Sequence, residues 1–217
     1  MDRTDDLRWM SLAVALARSQ QGRTAPNPSV GCVLVRDGHL IATGATQDGG
    51  RPHAERVALD AARDAARSAT AYVTLEPCAH YGQTPPCAEG LVEAGVSRVV
   101  VACQDEYAEV SGRGLAILEA AGITVELGLM QTEANALYAG FFHRLKTGLP
   151  MVYVDRPRRG YDATLDPDDG ALIDRRLTEL GRAGRNRVRV EPDTPLAEDL
   201  LQSGRARIPH DTENTAY

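Results

Sequence analysis

Apolar residues recur at three- and four-residue steps early in the chain, at Leu7, Met10, Val14 and Ala17. That spacing predicts an amphipathic helix over residues 5–20, with Thr4 able to cap its start and Gly22 to close it. A loop rich in Pro and Asn follows at 23–29, and then the rhythm changes. Residues 30–35 are an unbroken apolar run of strand length, Asp37-Gly38 reads as a two-residue hairpin turn, and residues 40–43 return as a second strand. A Gly-rich loop at 47–52 delivers His53. From His53 to about Arg67 an Ala-rich stretch predicts a helix offering Val57, Leu59 and Ala62 to a sheet. Residues 71–75 predict a third strand, with Tyr72 and Thr74 alternating against Val73 and Leu75.

The second half keeps alternating. Residues 87–94 predict a helix closed by Gly95, and residues 98–102 a strand that is apolar after Arg98, of the kind buried on both faces. A loop at 104–114, a helix at 115–121 and a fifth strand at 123–127 follow. Leu137, Phe141 and Leu145 then predict a closing helix over 132–146. One hairpin followed by alternating helices and strands predicts a three-layer α/β/α sandwich around a mixed five-stranded sheet. Ligands of such sheets bind at strand ends and helix starts. Beyond Pro150 the pattern weakens. Residues 151–154 suit one more strand, but 155–169 is a run of Arg, Asp, Pro and Gly resembling a linker. We therefore expect a domain over 1–150 and a tail over 151–217, frayed from Pro209 onward.

A chain of 217 residues suits one full domain and an appendage. Its net charge of −6 argues against nucleic acid or an anionic membrane surface as a broad partner. Asp2, Asp5 and Asp6 stand where an export signal would be positive, and the apolar run at 12–17 is too short to span a bilayer. The expected compartment is the cytoplasm, where thiols stay reduced, so the four cysteines favour metal binding over disulfides.

One imidazole, His53, and two thiols, Cys78 and Cys87, are donors of the type that Zn²⁺ prefers, and a catalytic zinc keeps a fourth position for water. Glu55, two residues past the histidine, suits a general acid/base in a zinc deaminase. Residues two apart on a helix do not share a face, so His53 is expected in an unwound first turn. Pro77 suits the first turn of another helix, which would set Cys78 at a helix N-terminus, where free N–H groups favour a thiolate. A purely structural zinc is the competing reading, but it usually takes four protein ligands and no fourth Cys or His is clearly placed. Cys32 and Cys103 lie in strands and are expected in the core. His39, His143 and His210 suggest no role, and neither Gly112-Arg113-Gly114 nor Arg156-Arg158-Arg159 is a strong phosphate motif.

Four stretches carry a resemblance. They are Asn27-Pro28-Ser29-Val30-Gly31-Cys32, His53-Ala54-Glu55, Thr74 to Cys87 with eight residues (79 to 86) between its cysteines, and Val110-Ser111-Gly112-Arg113-Gly114. Together they resemble the deaminase half of the bifunctional riboflavin-biosynthesis deaminase-reductase, within the cytidine-deaminase-like superfamily, over residues 5–150. The resemblance implies a cytidine-deaminase-like sandwich with Zn²⁺ on His53, Cys78 and Cys87 and Glu55 as proton carrier. It implies a small amino-heterocycle substrate, a diaminopyrimidinone ribosylamine 5′-phosphate losing its 2-amino group. Asn27, His80 and Asp105 would hold base and sugar, with Gln83 and Tyr107 facing the ligand. It also implies a homodimer or homotetramer.

The chain departs from that family in places. Gln83 stands where a basic residue is common, and Asp105-Glu106-Tyr107-Ala108 replaces an Asp-Pro-Asn-Pro-like run. In the tail, Glu191-Pro192-Asp193 replaces the reductase's Glu-Gly-Gly, removing an N–H and adding negative charge. The tail reads as a degenerate reductase-like remnant without redox activity. Two other readings stay open: a paralogue acting on a related amino-heterocycle, and a non-catalytic scaffold or regulatory subunit. An intact Glu55 argues against the second.

Overall fold

Asp37 and Gly38 both have positive φ, 52° and 74°, the backbone of a two-residue turn whose twist matches that of paired strands. The turn joins β1 (Gly31–Arg36) to β2 (His39–Ala45) in antiparallel register, Arg36 opposite His39 and Gly31 opposite Ala45. The computed structural model describes residues 3–81, 85–106 and 111–209. They fall into two compact units. Met1–Ser19, Val30–Gln47 and Arg51–Asn135 form one, and Gln20–Ser29, Asp48–Gly50 and Ala136–Tyr217 the other, so far as they are described.

In the first unit β1 also pairs antiparallel with β3 (Thr70–Leu75), which pairs parallel with β4 (Arg98–Cys103), which pairs parallel with β5 (Thr124–Leu127). The order β2-β1-β3-β4-β5 is the expected mixed five-stranded sheet. β3 is the central strand, and all six of its residues are buried. Thr74 is enclosed with the rest, its Oγ1 accepting from the Gly31 amide at 2.9 Å. Cys32 and Cys103 are core residues, 0% and 1% exposed.

Helix α1 (Arg3–Ser19) packs on β1 and β3. It starts before Thr4, which is thus no cap, and it buries Met10, Val14 and Ala17 of the predicted face. Leu7 is exposed, while Asp6 and Trp9 are buried. The reason is an ion pair at the edge of the sheet. Arg98 Nη1 and Nη2 donate to the two oxygens of Asp6 at 2.8 Å each, and Tyr72 Oη donates to Asp6 Oδ1 at 2.5 Å. A charge held by three donors can be buried where an isolated one cannot.

Helices α2 (Ala54–Ala62), α3 (Cys87–Glu93) and α4 (Arg113–Ala120) pack side by side, α2 lying on β2 and β1. The inward face of α2 is Ala54, Glu55, Ala58 and Ala62, with Val57 and Leu59 only half-buried. Small residues let its backbone approach β2 directly. A Cβ on Gly44 would lie 2.1 Å from the carbonyl oxygen of Ala54, closer than any real contact. That approach fixes the height at which α2 begins, and its first turn carries the candidate chemistry.

Helix α5 (Gln131–Thr147) follows β5. The second unit holds a small all-parallel sheet, β6 (Met151–Val154), β7 (Ala163–Thr164), β8 (Arg187–Val190) and β9 (Ala206–Arg207), in the order β7-β8-β6-β9. Its core joins Val152, Val154, Val188 and Val190 to Leu177 and Leu180 of α6 (Ile173–Arg182) and Leu196 and Leu200 of α7 (Pro195–Gln202). The run at 155–169 is more than a linker. It contributes β7, then a 3₁₀ turn over Pro167–Leu172 that Asp166 and Asp169 cap reciprocally. Among the described residues no helix is long and apolar enough to cross a membrane.

Candidate metal centre

His53 is the N-cap of α2, with extended backbone (φ −69°, ψ 159°), so its ring is not carried on the helix face that holds Glu55. The expectation of an unwound turn is met at this residue. Cys78 departs from expectation. Residues 76–79 are irregular, and the next helix begins only at Cys87, with Pro86 as its N-cap. Yet a helix start still serves Cys78. The Cys87 amide donates to Cys78 Sγ at 3.3 Å, and the Ala88 amide donates to the Cys78 carbonyl at 3.2 Å.

The three donors converge. His53 Nδ1 lies 3.4 Å from Cys87 Sγ and 3.7 Å from Cys78 Sγ, and all three donor atoms lie within 4.8 Å of one another. A tetrahedral zinc, with Zn–S near 2.3 Å and Zn–N near 2.0 Å, would separate nitrogen from sulfur by about 3.5 Å. The donor set therefore fits zinc in both type and spacing. Among the described residues it is the one group of three or more His, Cys, Asp or Glu side chains so arranged.

Charge is shared tightly here. The hydrogen bond from Cys87 and the neighbouring His53 draw the Cys78 thiol down to about 4. The same partnership, then burial and the charge of Glu55, push the Cys87 thiol up. His53 is raised, first by its contact with Cys78 and then by Glu55. Glu55 is 4% exposed, and burial, with the Cys78 thiolate adding to it, lifts its carboxyl to about 7. A carboxyl that gains and loses its proton near neutrality, beside three soft donors, suits a proton carrier.

The other predicted contacts are more scattered. Asp105 follows β4, and His80 is exposed just past Cys78. Asn27 lies in the second unit, where its side-chain amide donates to the Gly50 carbonyl at 2.8 Å and braces a loop. Gln83 and Tyr107 lie outside the described residues, as does His210. One residue was overlooked. Glu76, 5% exposed, accepts from the amides of Gly114 at 2.9 Å, Gly112 at 3.0 Å and Asp105 at 3.3 Å. The amides that hinted at a phosphate-binding turn are thus already occupied. An acid placed directly after the apolar strand β3 was the available signal.

Residues 3–103 match the family described as the cytidine and deoxycytidylate deaminase zinc-binding region. The chain is similar to the riboflavin biosynthesis protein RibD of Haemophilus influenzae, 50% identical over 149 residues, covering 69% of this chain and 40% of that protein. It is similar, too, to the diaminohydroxyphosphoribosylamino-pyrimidine deaminase of Buchnera aphidicola subsp. Acyrthosiphon pisum, 42% identical over 146 residues, 67% of this chain and 99% of that protein. Among solved structures, Acinetobacter baumannii RibD, form 1, has a TM-score of 0.78 at 28% identity, covering 100% of this chain and 92% of that one. The match thus spans 40% of the length of a full RibD and nearly all of the short Buchnera protein.

Proposed function

The chain belongs to the diaminohydroxyphosphoribosylaminopyrimidine deaminase family, whose zinc-binding region it carries, and from that premise we propose that it hydrolyses an amino group from an aminopyrimidine. The phosphoribosylated diaminopyrimidine of riboflavin synthesis is the first candidate substrate. The observation that carries the reading is buried Glu55 beside the converged donors of His53, Cys78 and Cys87. Those three side chains would hold zinc, which would supply an activated water, the pKa of such a water falling from 15.7 to about 7 in the best-known case.

Glu55 handles the protons. It takes one from the attacking water and passes it to the ring nitrogen next to the carbon that bears the amine. It then takes the second proton from the hydroxyl just added and passes it to the amine as the C–N bond breaks, so water and an amino-pyrimidine become ammonia and a carbonyl. His80 and Asp105 are the described residues of this unit that the family pattern assigns to the substrate.

The tail is read as a remnant without reductase activity. Dinucleotides bind beyond the carboxyl ends of parallel strands. At that end of the second sheet a hollow of about 480 Å³ is lined by Asp166, Arg189 and Glu191 among others. The Arg189 guanidinium is committed to Thr164, Asp155, Arg156 and Glu191, while Asp193 is engaged by Arg156 at 2.6 Å. Of the two cations lining the hollow, Arg158 and Arg189, the second is already committed, and Asp166 and Glu191 add negative charge beside them.

The test is ammonia release from the phosphorylated riboflavin intermediate, set against a panel of aminopyrimidines, pterins and purines. No release from any of them sinks the reading. A related amino-heterocycle is the second reading, favoured in the sequence by Gln83 and Tyr107, with Glu106 adding negative charge beside them. It predicts a better substrate within the panel than the riboflavin intermediate. The family resemblance also supports a homodimer or homotetramer, which sedimentation velocity checks.

A further inference from the structure

Gly112 is the N-cap of α4 in the left-handed conformation (φ 80°), and having no side chain it cannot cap its own helix. The first amides of a helix need partners from elsewhere. Glu76 supplies them from 38 residues upstream: Oε1 takes Gly114, and Oε2 takes both Gly112 and Asp105. Its negative charge also lies at the positive end of the helix dipole. Gly114 allows this closeness, because a Cβ there would stand 2.0 Å from the carbonyl oxygen of Pro77. The start of α4 therefore rests on the backbone one residue before Cys78.

We propose that Glu76 is a positioning residue that ties Asp105 and the start of α4 to the segment carrying the metal donor Cys78. The proposal rests on the deaminase reading for what Asp105 does, since it is there assigned to the substrate. Three amide donors converge on one buried carboxylate, two from the start of α4 and one from Asp105. Held at its amide in this way, Asp105 is fixed relative to β3 and meets a substrate already oriented. Preorganisation of that kind acts on substrate binding more than on the chemical step. Glu76 is not one of the three converging donors.

Glu76→Gln is isosteric, but its NH₂ cannot accept from an amide, so one arm of the clamp is lost. Hydrogen exchange should accelerate at least about tenfold at Gly112 and Gly114, the effect of losing one charge-assisted bond, with the Cys87 amide unchanged. With the preferred substrate, KM should rise about tenfold while kcat stays within about threefold and zinc content is kept. Glu76→Asp, which keeps the charge on a shorter stem, should fall between the two. Unchanged exchange at these amides in the Gln variant overturns the clamp. Loss of zinc or of the folded state in both variants overturns it too, since Glu76 would then support the whole core. If the wild type deaminates nothing in the panel, the function falls, and the exchange measurement still decides the clamp.

Discussion

The Cys87 amide donates to Cys78 Sγ at 3.3 Å, so the helix that presents one candidate ligand also stabilises the thiolate of the other. This places the negative charge of the metal-free centre on Cys78 and leaves protons with Cys87 and His53, both held above their ordinary values.

Metal binding must displace those protons. The protein should hold about one zinc per chain, and its affinity should fall as pH is lowered from about 8 toward 5, by about tenfold per unit for each proton displaced. The sign follows from the raised groups, since more protons are bound at low pH and each competes with the ion. Competition with a chromophoric chelator across that range measures it. An affinity independent of pH would contradict the arrangement.

Glu55→Gln removes the proton carrier and leaves all three donors in place. Zinc content should be unchanged, and kcat should drop by about 10²–10⁴. Elemental analysis and initial rates on one preparation separate the two effects. A variant turning over at the wild-type rate would assign proton transfer to another group.

Asp6 is held below the ordinary carboxylate range, chiefly by its hydrogen bond from Arg98. Its depressed folded value means that the stabilisation is complete above the unfolded value of about 3.9 and is lost as pH falls through the folded one. Asp6→Asn should cost about 1.5–3 kcal/mol at neutral pH, with a difference from wild type that shrinks in stronger acid. Urea unfolding of both proteins at pH 7 and in stronger acid reads this directly. An equal deficit at both pH values would argue for lost packing instead of lost charge.

NADPH should not bind the second unit at micromolar concentration, given the commitment of Arg189 and the acids around it. Calorimetry at low ionic strength, where a phosphate contact is strongest, is the demanding test. A micromolar signal would restore a cofactor role to residues 151–217.

Local signals carried most of what was legible in the sequence. The Asp37-Gly38 turn, the strand-length apolar runs and the extended backbone at His53 each follow from neighbours within a few residues. The errors arose where a distant partner decides. Asp6 looked polar because the residues that satisfy it, Tyr72 and Arg98, are 66 and 92 positions away. Pro77 suggested a helix that Pro86 begins instead, because the intervening segment is needed to bring Cys78 back beside Cys87.

The distribution of the site along the chain also sets an order of events. His53, Glu55, Cys78 and Cys87 are all synthesised before any amide that Glu76 holds, since those belong to residues 105, 112 and 114. Proteins emerge from the ribosome N-terminal end first, at about 5–20 residues per second. β3 can already pair with β1 at that point, while β4 is still to come. All four side chains are therefore made about one to several seconds before the amides that Glu76 accepts from.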